Sequence, residues 1–278
     1  MNAPGPVDTA ELFRPLLAQL IDLLRGLPPE AWHFPAVGDS WRVRDVVAHL
    51  IDGDLRRISA QRDGHAPPPP HPINGYRDLV DHLDSLNREW VVAFHRLSPA
   101  VLVALAEWSG AEVAAVMEGL NPQGPALYPV AWAGEGRSQN WMDVGREFTE
   151  KWHHQQQIRV AVAAPLLLEA TWTTPLFRLS MRALPPAFEK RDAPVGTAVS
   201  VVVEGEGGGA WSVVREVGGW LLREGMASAP RTVLRLSADN GWRWLYNALP
   251  PDAAMERVQI AGDPHWARVV LSARSVMV

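Results

Sequence analysis

The sequence predicts an α + (α+β) fold class, in which an all-helical bundle is followed by a smaller domain of helices and strands. In the first two-thirds of the chain, apolar residues recur at the spacing of one helix face. After about Pro194 the pattern changes to alternating, β-branched segments separated by glycine turns, which is typical of strands. The 278 residues are enough for one large domain or two ordinary ones.

Apolar stripes and helix-breaking residues predict five helices in the first region. Ser40 is the expected N-cap of the second helix, and Gly26 followed by a proline pair ends the first. Ser98 and Pro99 form an N-cap and first-position pair for a shorter helix. The approximate bounds are 11–25, 41–58, 76–97, a shorter helix from 98, and 140–164.

Two segments of this region are predicted to be irregular. The proline-rich segment 64–72 cannot form a helix or a central strand, and it is either a stiff connector or a lid over a nearby site. Residues 119–139 are rich in glycine and proline and are expected to form a loop.

The C-terminal region is expected to contain a small sheet and two closing helices. Predicted strands lie at 197–203, 211–217, 220–223 and 232–236, and helices at about 239–249 and 264–275. The predicted domains are therefore 1–165, a helical linker over 166–194, and 195–278.

Composition excludes several classes of function. A net charge of −5 lacks the excess of positive charge that indicates binding to nucleic acid or to an anionic membrane. The absence of cysteine excludes disulfides, thiolate metal sites and a cysteine nucleophile. The N-terminus lacks the pattern of a signal peptide, and no apolar run approaches the roughly 20 residues of a membrane span. We therefore expect a cytoplasmic protein with neither a nucleic-acid nor a membrane partner.

Three residues are candidate metal ligands. Glu150 and His154 are four residues apart on the last bundle helix, so both can reach one ion. They flank the apolar stripe, and His49 has a similar place on the second helix. Two imidazoles and a carboxylate suit zinc, nickel, iron or manganese, and three protein ligands leave positions open for catalysis. From spacing alone, an exposed ion-pairing face is the more common interpretation of a Glu and a His four residues apart. His153 projects away from the stripe and is expected to be exposed.

Two segments resemble signatures of the DinB/YfiT-like metalloenzymes. The sequence SWRVRDVVAHL, which ends at Leu50, resembles the pattern W-x-V-x-D-V-x-A-H-L. The segment from Glu150 to Arg159 resembles the second signature of the mycothiol-dependent maleylpyruvate isomerase family within that superfamily. Many relatives have D-I-R where this chain has Gln157-Ile-Arg. The resemblance covers nearly the whole chain, but the C-terminal motifs are weak.

The resemblance implies a four-helix bundle that binds a divalent metal through His49, Glu150 and His154. It implies Zn²⁺ as the usual metal, with Ni²⁺, Fe²⁺ or Mn²⁺ as alternatives. A C-terminal domain similar to sterol-carrier folds would follow. The implied reaction is isomerisation or S-transfer on an electrophilic small molecule, with a mycothiol-like low-molecular-weight thiol as cosubstrate. The alternatives are a metal-dependent hydrolase that uses activated water and a non-catalytic binding or resistance protein for a small ligand.

Four further residues are candidates around this site. Gln157 projects close to Glu150 and is expected to hold a ligand in orientation by a hydrogen bond. Asp45, one turn before His49, either orients that imidazole or favours the start of its helix, and the sequence leaves both open. Trp41 and Trp141 lie within the metal-bearing segments and are expected to line a substrate pocket. The sequence predicts neither a catalytic residue nor an oligomeric state.

Overall fold

The computed structural model describes residues 1–37 and 40–277 of the chain. By internal contacts the chain divides into two units, each discontinuous in sequence. We call them the helical unit, Thr9–Pro122 with Glu147–Leu166, and the sheet unit, Met1–Asp8 with Gln123–Arg146 and Leu167–Val278. The predicted combination of a mostly helical N-terminal region and a C-terminal region with a sheet is confirmed.

The predicted domain bounds 1–165, 166–194 and 195–278 stay a prediction. Each of the two contact units is assembled from separate segments, and the division between them falls inside the last long helix of the N-terminal region. The contact units are therefore not equivalent to three consecutive domains.

The part of the helical unit that the structure describes contains four long helices and most of a fifth. Their bounds are α1 Phe13–Arg25, α2 Val43–Arg57, α3 Tyr76–Phe94, α4 Pro99–Glu118 and α5 Asn140–Ala161. Helix α2 packs against both α3 and α4, and α4 also packs against α1. Apolar residues of α1, α2, α4 and α5 form a buried cluster that includes Leu20, Val47, Ile51, Leu102 and Ile158. The helices that carry the candidate ligands are thus anchored in one core.

Helix α2 begins later than the sequence predicts, and Ser40 is not its N-cap. Residues Pro35–Val37 (β1) and Trp41–Arg42 (β2) pair as a short antiparallel sheet, which holds Trp41 and Arg42 in an extended conformation. The backbone N–H of Arg42 donates to Asp45 Oδ2 at 2.8 Å, so Asp45 caps the helix from inside its first turn. The β pairing explains the delay, because an extended residue cannot belong to a helix.

Helix α4 is not the shorter helix that the sequence predicts, since it has 20 residues. Among the described residues it is the one helix long and apolar enough to cross a membrane by length and composition. Glu107 and Glu112 divide its apolar residues into shorter runs, so the helix meets this limit only by its mean hydropathy. One face of α4 is buried in the helical unit through residues such as Leu102, Ala106 and Val113. A buried core helix passes the same test, so the absence of a membrane partner stays a prediction.

In the described residues, the sheet unit contains a five-stranded sheet, the first turns of α5 and five further α-helices. The strands are β3 Ala198–Glu204, β4 Gly209–Glu216, β5 Gly219–Glu224, β6 Thr232–Ser237 and β7 Gln259–Gly262. Their order is β5-β4-β3-β6-β7, with β3 and β6 parallel and the other neighbours antiparallel. The helices are α6 Ala170–Ser180, α7 Leu184–Phe188, α8 Ala238–Leu245, α9 Pro251–Glu256 and α10 Pro264–Leu271. Four strands and two helices match predicted segments, whereas β7 and α9 were not predicted.

Candidate functional site

The structure brings three predicted metal ligands together between α2 and α5. His49 lies in the middle of α2, and Glu150 and His154 lie one turn apart on α5. Glu150 Oε1 is 3.2 Å from His49 Nε2 and 3.1 Å from His154 Nε2. One donor atom from each of the three residues lies within 4.8 Å of the other two. Residues separated by a hundred positions in sequence therefore present a compact set of two nitrogens and one oxygen.

The charges at this cluster suit the binding of a cation. Burial alone would raise the pKa of the Glu150 carboxyl, but the imidazoles of His154 and His49 outweigh burial and hold that pKa well below its ordinary value. Burial also lowers the pKa of His49, against the opposing hydrogen bond to Glu150. An ionised carboxylate beside a neutral imidazole is the protonation state that metal ligands require.

Hydrogen bonding around His154 gives a further reason to expect a positive charge in the cluster. His154 Nδ1 donates to Gln157 Oε1 at 2.7 Å, so Nε2 is the nitrogen that faces the Glu150 carboxylate, and in that tautomer of the imidazole Nε2 bears the lone pair. Two acceptors at 3.1 Å repel each other unless a proton or a cation lies between them. Two atoms each about 2.1 Å from one tetrahedral ion are separated by roughly 3.2–3.4 Å, close to the spacing found here. The donor set therefore fits a divalent metal.

The two candidate pocket tryptophans lie in different units. The Trp41 ring is 5.1 Å from the His49 ring and 6.5 Å from the His154 ring, centroid to centroid. Trp41 thus places an apolar surface beside the imidazoles of both candidate ligands. Trp141 belongs to the sheet unit, where the Arg182 guanidinium lies 4.8 Å above its ring, and its Nε1 donates to Gln139.

Asp45 stabilises the start of its helix, which is one of the two roles that the sequence allows for it. Its Oδ2 accepts the Arg42 N–H, and its Oδ1 accepts from His95 Nε2 at 2.9 Å. In the described part of the chain, Nδ1 of His49 is buried and has no hydrogen-bond partner. The carboxylate of Asp45 therefore stabilises the start of α2 and its contact with the end of α3, and it does not orient His49.

The expectation that His153 is exposed is wrong. Only 4 % of its surface is accessible, and Nδ1 donates to the Thr149 carbonyl at 3.0 Å. Burial, helped by the neighbouring His154, lowers the pKa of His153 to about 3, so the ring is neutral at pH 7. The projection failed because α5 is buried on more than one face, as the fully enclosed Trp152 and Gln156 also show.

Sequence reasoning missed a charged pair one turn beyond His49. Asp52 is buried and forms an ion pair with Arg56 at 2.9 Å, and Arg56 also donates to Asn87 on α3. Burial raises the pKa of Asp52, while the charge of Arg56 helps to lower the pKa of His49. The only sequence signal was an Asp and an Arg four residues apart, which is common on solvated helix faces.

Comparisons with known proteins agree with this architecture. The family model for the mycothiol maleylpyruvate isomerase N-terminal domain matches residues 13–159. The crystal structure of a mycothiol-dependent maleylpyruvate isomerase matches with a TM-score of 0.53 and 13% identity, covering 91% of each chain. The structure of a histidine-to-alanine mutant of such an isomerase matches with the same TM-score and coverage at 12% identity. No protein with a curated description matches the chain significantly.

The structural matches share the fold with this chain, and the family model covers more than half of its length. The predicted family and the predicted enzyme class, a thiol-dependent isomerase, are thereby confirmed. The chain belongs to the mycothiol maleylpyruvate isomerase family.

Proposed function

We propose that this protein uses a divalent metal and a mycothiol-like low-molecular-weight thiol to isomerise an electrophilic small molecule such as maleylpyruvate. The observation that carries the proposal is the convergence of His49, Glu150 and His154 in a chain of this family. The chain has no cysteine, so the sulfur nucleophile has to come from a cosubstrate. S-transfer, in which the thiol adduct is the product, is the related reaction.

His49, Glu150 and His154 would hold the ion, with Zn²⁺ as the first candidate and Ni²⁺, Fe²⁺ or Mn²⁺ as alternatives. A divalent ion bound there would supply the positive charge that lowers the pKa of a thiol to the range where it is a thiolate. Glu150 contributes the negative charge that attracts the ion, and the neutral ring of His49 contributes a lone pair.

Gln157 and Trp41 would support these ligands in two different ways. The Gln157 amide oxygen fixes the tautomer of His154, because it accepts the Nδ1 proton and leaves Nε2 as the donor atom for a metal. The Trp41 ring covers the imidazoles on one side, which limits access of water and offers an apolar wall to the substrate. We propose that Trp141 also lines a substrate pocket, as its place in a metal-bearing segment of the sequence predicts.

The finer fold assignment is also part of this proposal. The bundle over 1–165 would correspond to the DinB-like four-helix bundle, with 166–194 as a helical connection. Residues 195–278 would form the sterol-carrier-like domain. This assignment is supported by the helices α1 to α5 and by the mixed sheet β3 to β7. We place the enzyme in the cytoplasm, where low-molecular-weight thiols are kept reduced.

The proposal is tested by the thiol and metal dependence of the reaction. Maleylpyruvate is incubated with zinc-loaded protein and mycothiol, and NMR follows conversion of its cis double bond to trans. We expect conversion only when both thiol and metal are present, and we expect His49→Ala to abolish it. The matched control is His71→Ala, which removes an exposed histidine of the proline-rich segment. Equal conversion without thiol would contradict the proposal.

A second assay addresses S-transfer with monobromobimane, an electrophile that becomes fluorescent on reaction with a thiolate. The absence of cysteine means that the protein itself gives no labelling background. We expect the metal-loaded protein to accelerate the reaction of mycothiol and the metal-free protein to leave it at the uncatalysed rate. An equal rate with both protein forms would contradict a metal-activated thiol.

A further inference from the structure

A charged cluster lies inside the helical unit beside the metal ligands. Lys151 of α5 forms an ion pair with Asp54 Oδ1 of α2, and the two side chains are only 16% and 6% exposed. The fully buried Ser109 of α4 donates to Asp54 Oδ2 at 2.9 Å. Glu147, one turn before Lys151, lies 4.0 Å from the same ammonium group. Three helices therefore meet at one buried ion pair.

This pair is displaced by one residue from the ligand row of α5. Glu150 and His154 form one row along the helix, and Lys151 and Gln155 form the next row, about 100° further around the axis. Two contacts consequently join α2 to α5: His49 with Glu150, and Asp54, five residues further along α2, with Lys151. Together they restrict both the rotation of α5 and its sliding along α2.

Burial of two opposite charges is an expensive way to join two helices. Removing both ions from water costs more than a well-packed apolar pair would, and the best-attested benefit of such pairs is the selection of one register. Apolar packing at this point is also incomplete. A cavity of about 30 Å³ borders Asp54 and Lys151, with apolar walls that include Leu16 and Leu50. The amide of Gln155, also on this cavity, is buried with no hydrogen-bond partner in the described residues.

We propose that the Asp54–Lys151 pair is a positioning element that fixes the register of α2 against α5 and thereby the spacing between His49 and Glu150. This inference rests on the proposed metal site. A shift of α5 by one residue moves its side chains about 1.5 Å along the axis, whereas metal–ligand distances tolerate about 0.2 Å. Beside the cavity the ion pair supplies this restraint, in addition to the apolar core that α2 and α5 share.

The inference is tested with the double variant Asp54→Leu/Lys151→Met, which removes both charges and retains apolar volume. The matched control is Arg14→Met/Glu118→Leu, because that ion pair also joins two helices, α1 and α4, but is exposed. For each protein we measure the zinc Kd by competition with a chromophoric chelator, the visible spectrum of the Co²⁺ form, and the thermal midpoint.

We expect the buried double variant to keep or raise its thermal midpoint, to bind zinc at least tenfold more weakly, and to show an altered Co²⁺ spectrum. The control should bind zinc as the wild type does. Zinc affinity within twofold of wild type together with an unchanged Co²⁺ spectrum would overturn the inference. If the pair only stabilised the fold, its removal would lower the thermal midpoint and leave the zinc affinity of the folded protein unchanged.

If the double variant does not fold, Asp54→Asn answers the same question, because the amide keeps the size and the acceptor for Ser109 while removing the charge. Weaker zinc binding by at least tenfold supports the inference, and wild-type affinity overturns it. Failure of the wild type itself to bind zinc would contradict the metal proposal, and the inference would fall with it. The wild-type measurement therefore separates the two failures.

Discussion

Replacement of Gln157 by leucine should weaken metal binding without unfolding the protein. The Gln157 amide oxygen accepts the Nδ1 proton of His154 at 2.7 Å, and this bond keeps Nε2 free to face Glu150. Leucine has similar volume but no acceptor, so Nδ1 loses its partner and the ring can exchange its tautomer. Removal of such a partner typically lowers metal affinity about 10- to 100-fold, which is about 1.4–2.7 kcal/mol.

The assay is a competition titration in which a chromophoric chelator reports free zinc for the wild type and each variant. Gln157→Glu is the matched control, because it keeps an acceptor of the same reach, and we expect its affinity to equal or exceed that of the wild type. The thermal midpoint of Gln157→Leu verifies that the fold is intact. Zinc affinity of Gln157→Leu within twofold of wild type would refute the reasoning, since the hydrogen bond would then not tune the ligand.

Three further predictions concern stability. Asp45→Ala should cost about 1–2 kcal/mol in urea unfolding, because the Arg42 amide and His95 lose their acceptor, and unchanged stability would contradict this role. Arg44→Met should destabilise by about 1–3 kcal/mol, since one guanidinium nitrogen donates to three carbonyls at the end of α3, and no loss in urea would contradict the capping role. In the metal-free protein, the pKa of His153 falls from the ordinary 6.5 to about 3 on folding. The buried neutral ring therefore contributes fully to the free energy of unfolding above pH 6.5, and this contribution is lost as the pH falls towards 3. His153→Gln should therefore reduce the dependence of stability on pH below 6.5 by up to about 1.4 kcal/mol per unit, and parallel profiles would contradict the burial of a neutral ring.

Local patterns predicted most helices and strands because each has a periodic apolar face and recognisable ends. Glu150 and His154 could be paired from sequence since four residues are close to one helical turn. His49 is connected to them only by the tertiary fold, so its role depended on the resemblance of its segment to a family motif. The contact between Asp54 and Lys151 could not be predicted for the same reason. The two residues lie far apart in sequence, on α2 and α5, and no local spacing connects them.

Errors arose where tertiary contacts overrode local preference. Ser40 is a good capping residue, but pairing of β1 with β2 holds the chain extended and moves the start of α2 to Val43. A single apolar stripe on α5 predicts that His153 faces solvent. The helix instead has buried polar residues on several faces, among them Gln155 and Gln156, and a single stripe cannot describe such an enclosed helix.

The central claim is that His49, Glu150 and His154 together bind one divalent metal. Its most direct test is the zinc content of purified protein, measured by mass spectrometry after saturation with zinc and removal of the excess. We predict about one ion per wild-type chain, as for a three-ligand catalytic site. Each of His49→Ala, Glu150→Ala and His154→Ala should lose most of the metal, while the His71→Ala control keeps it. Equal zinc content in the wild type and all three ligand variants would contradict the account.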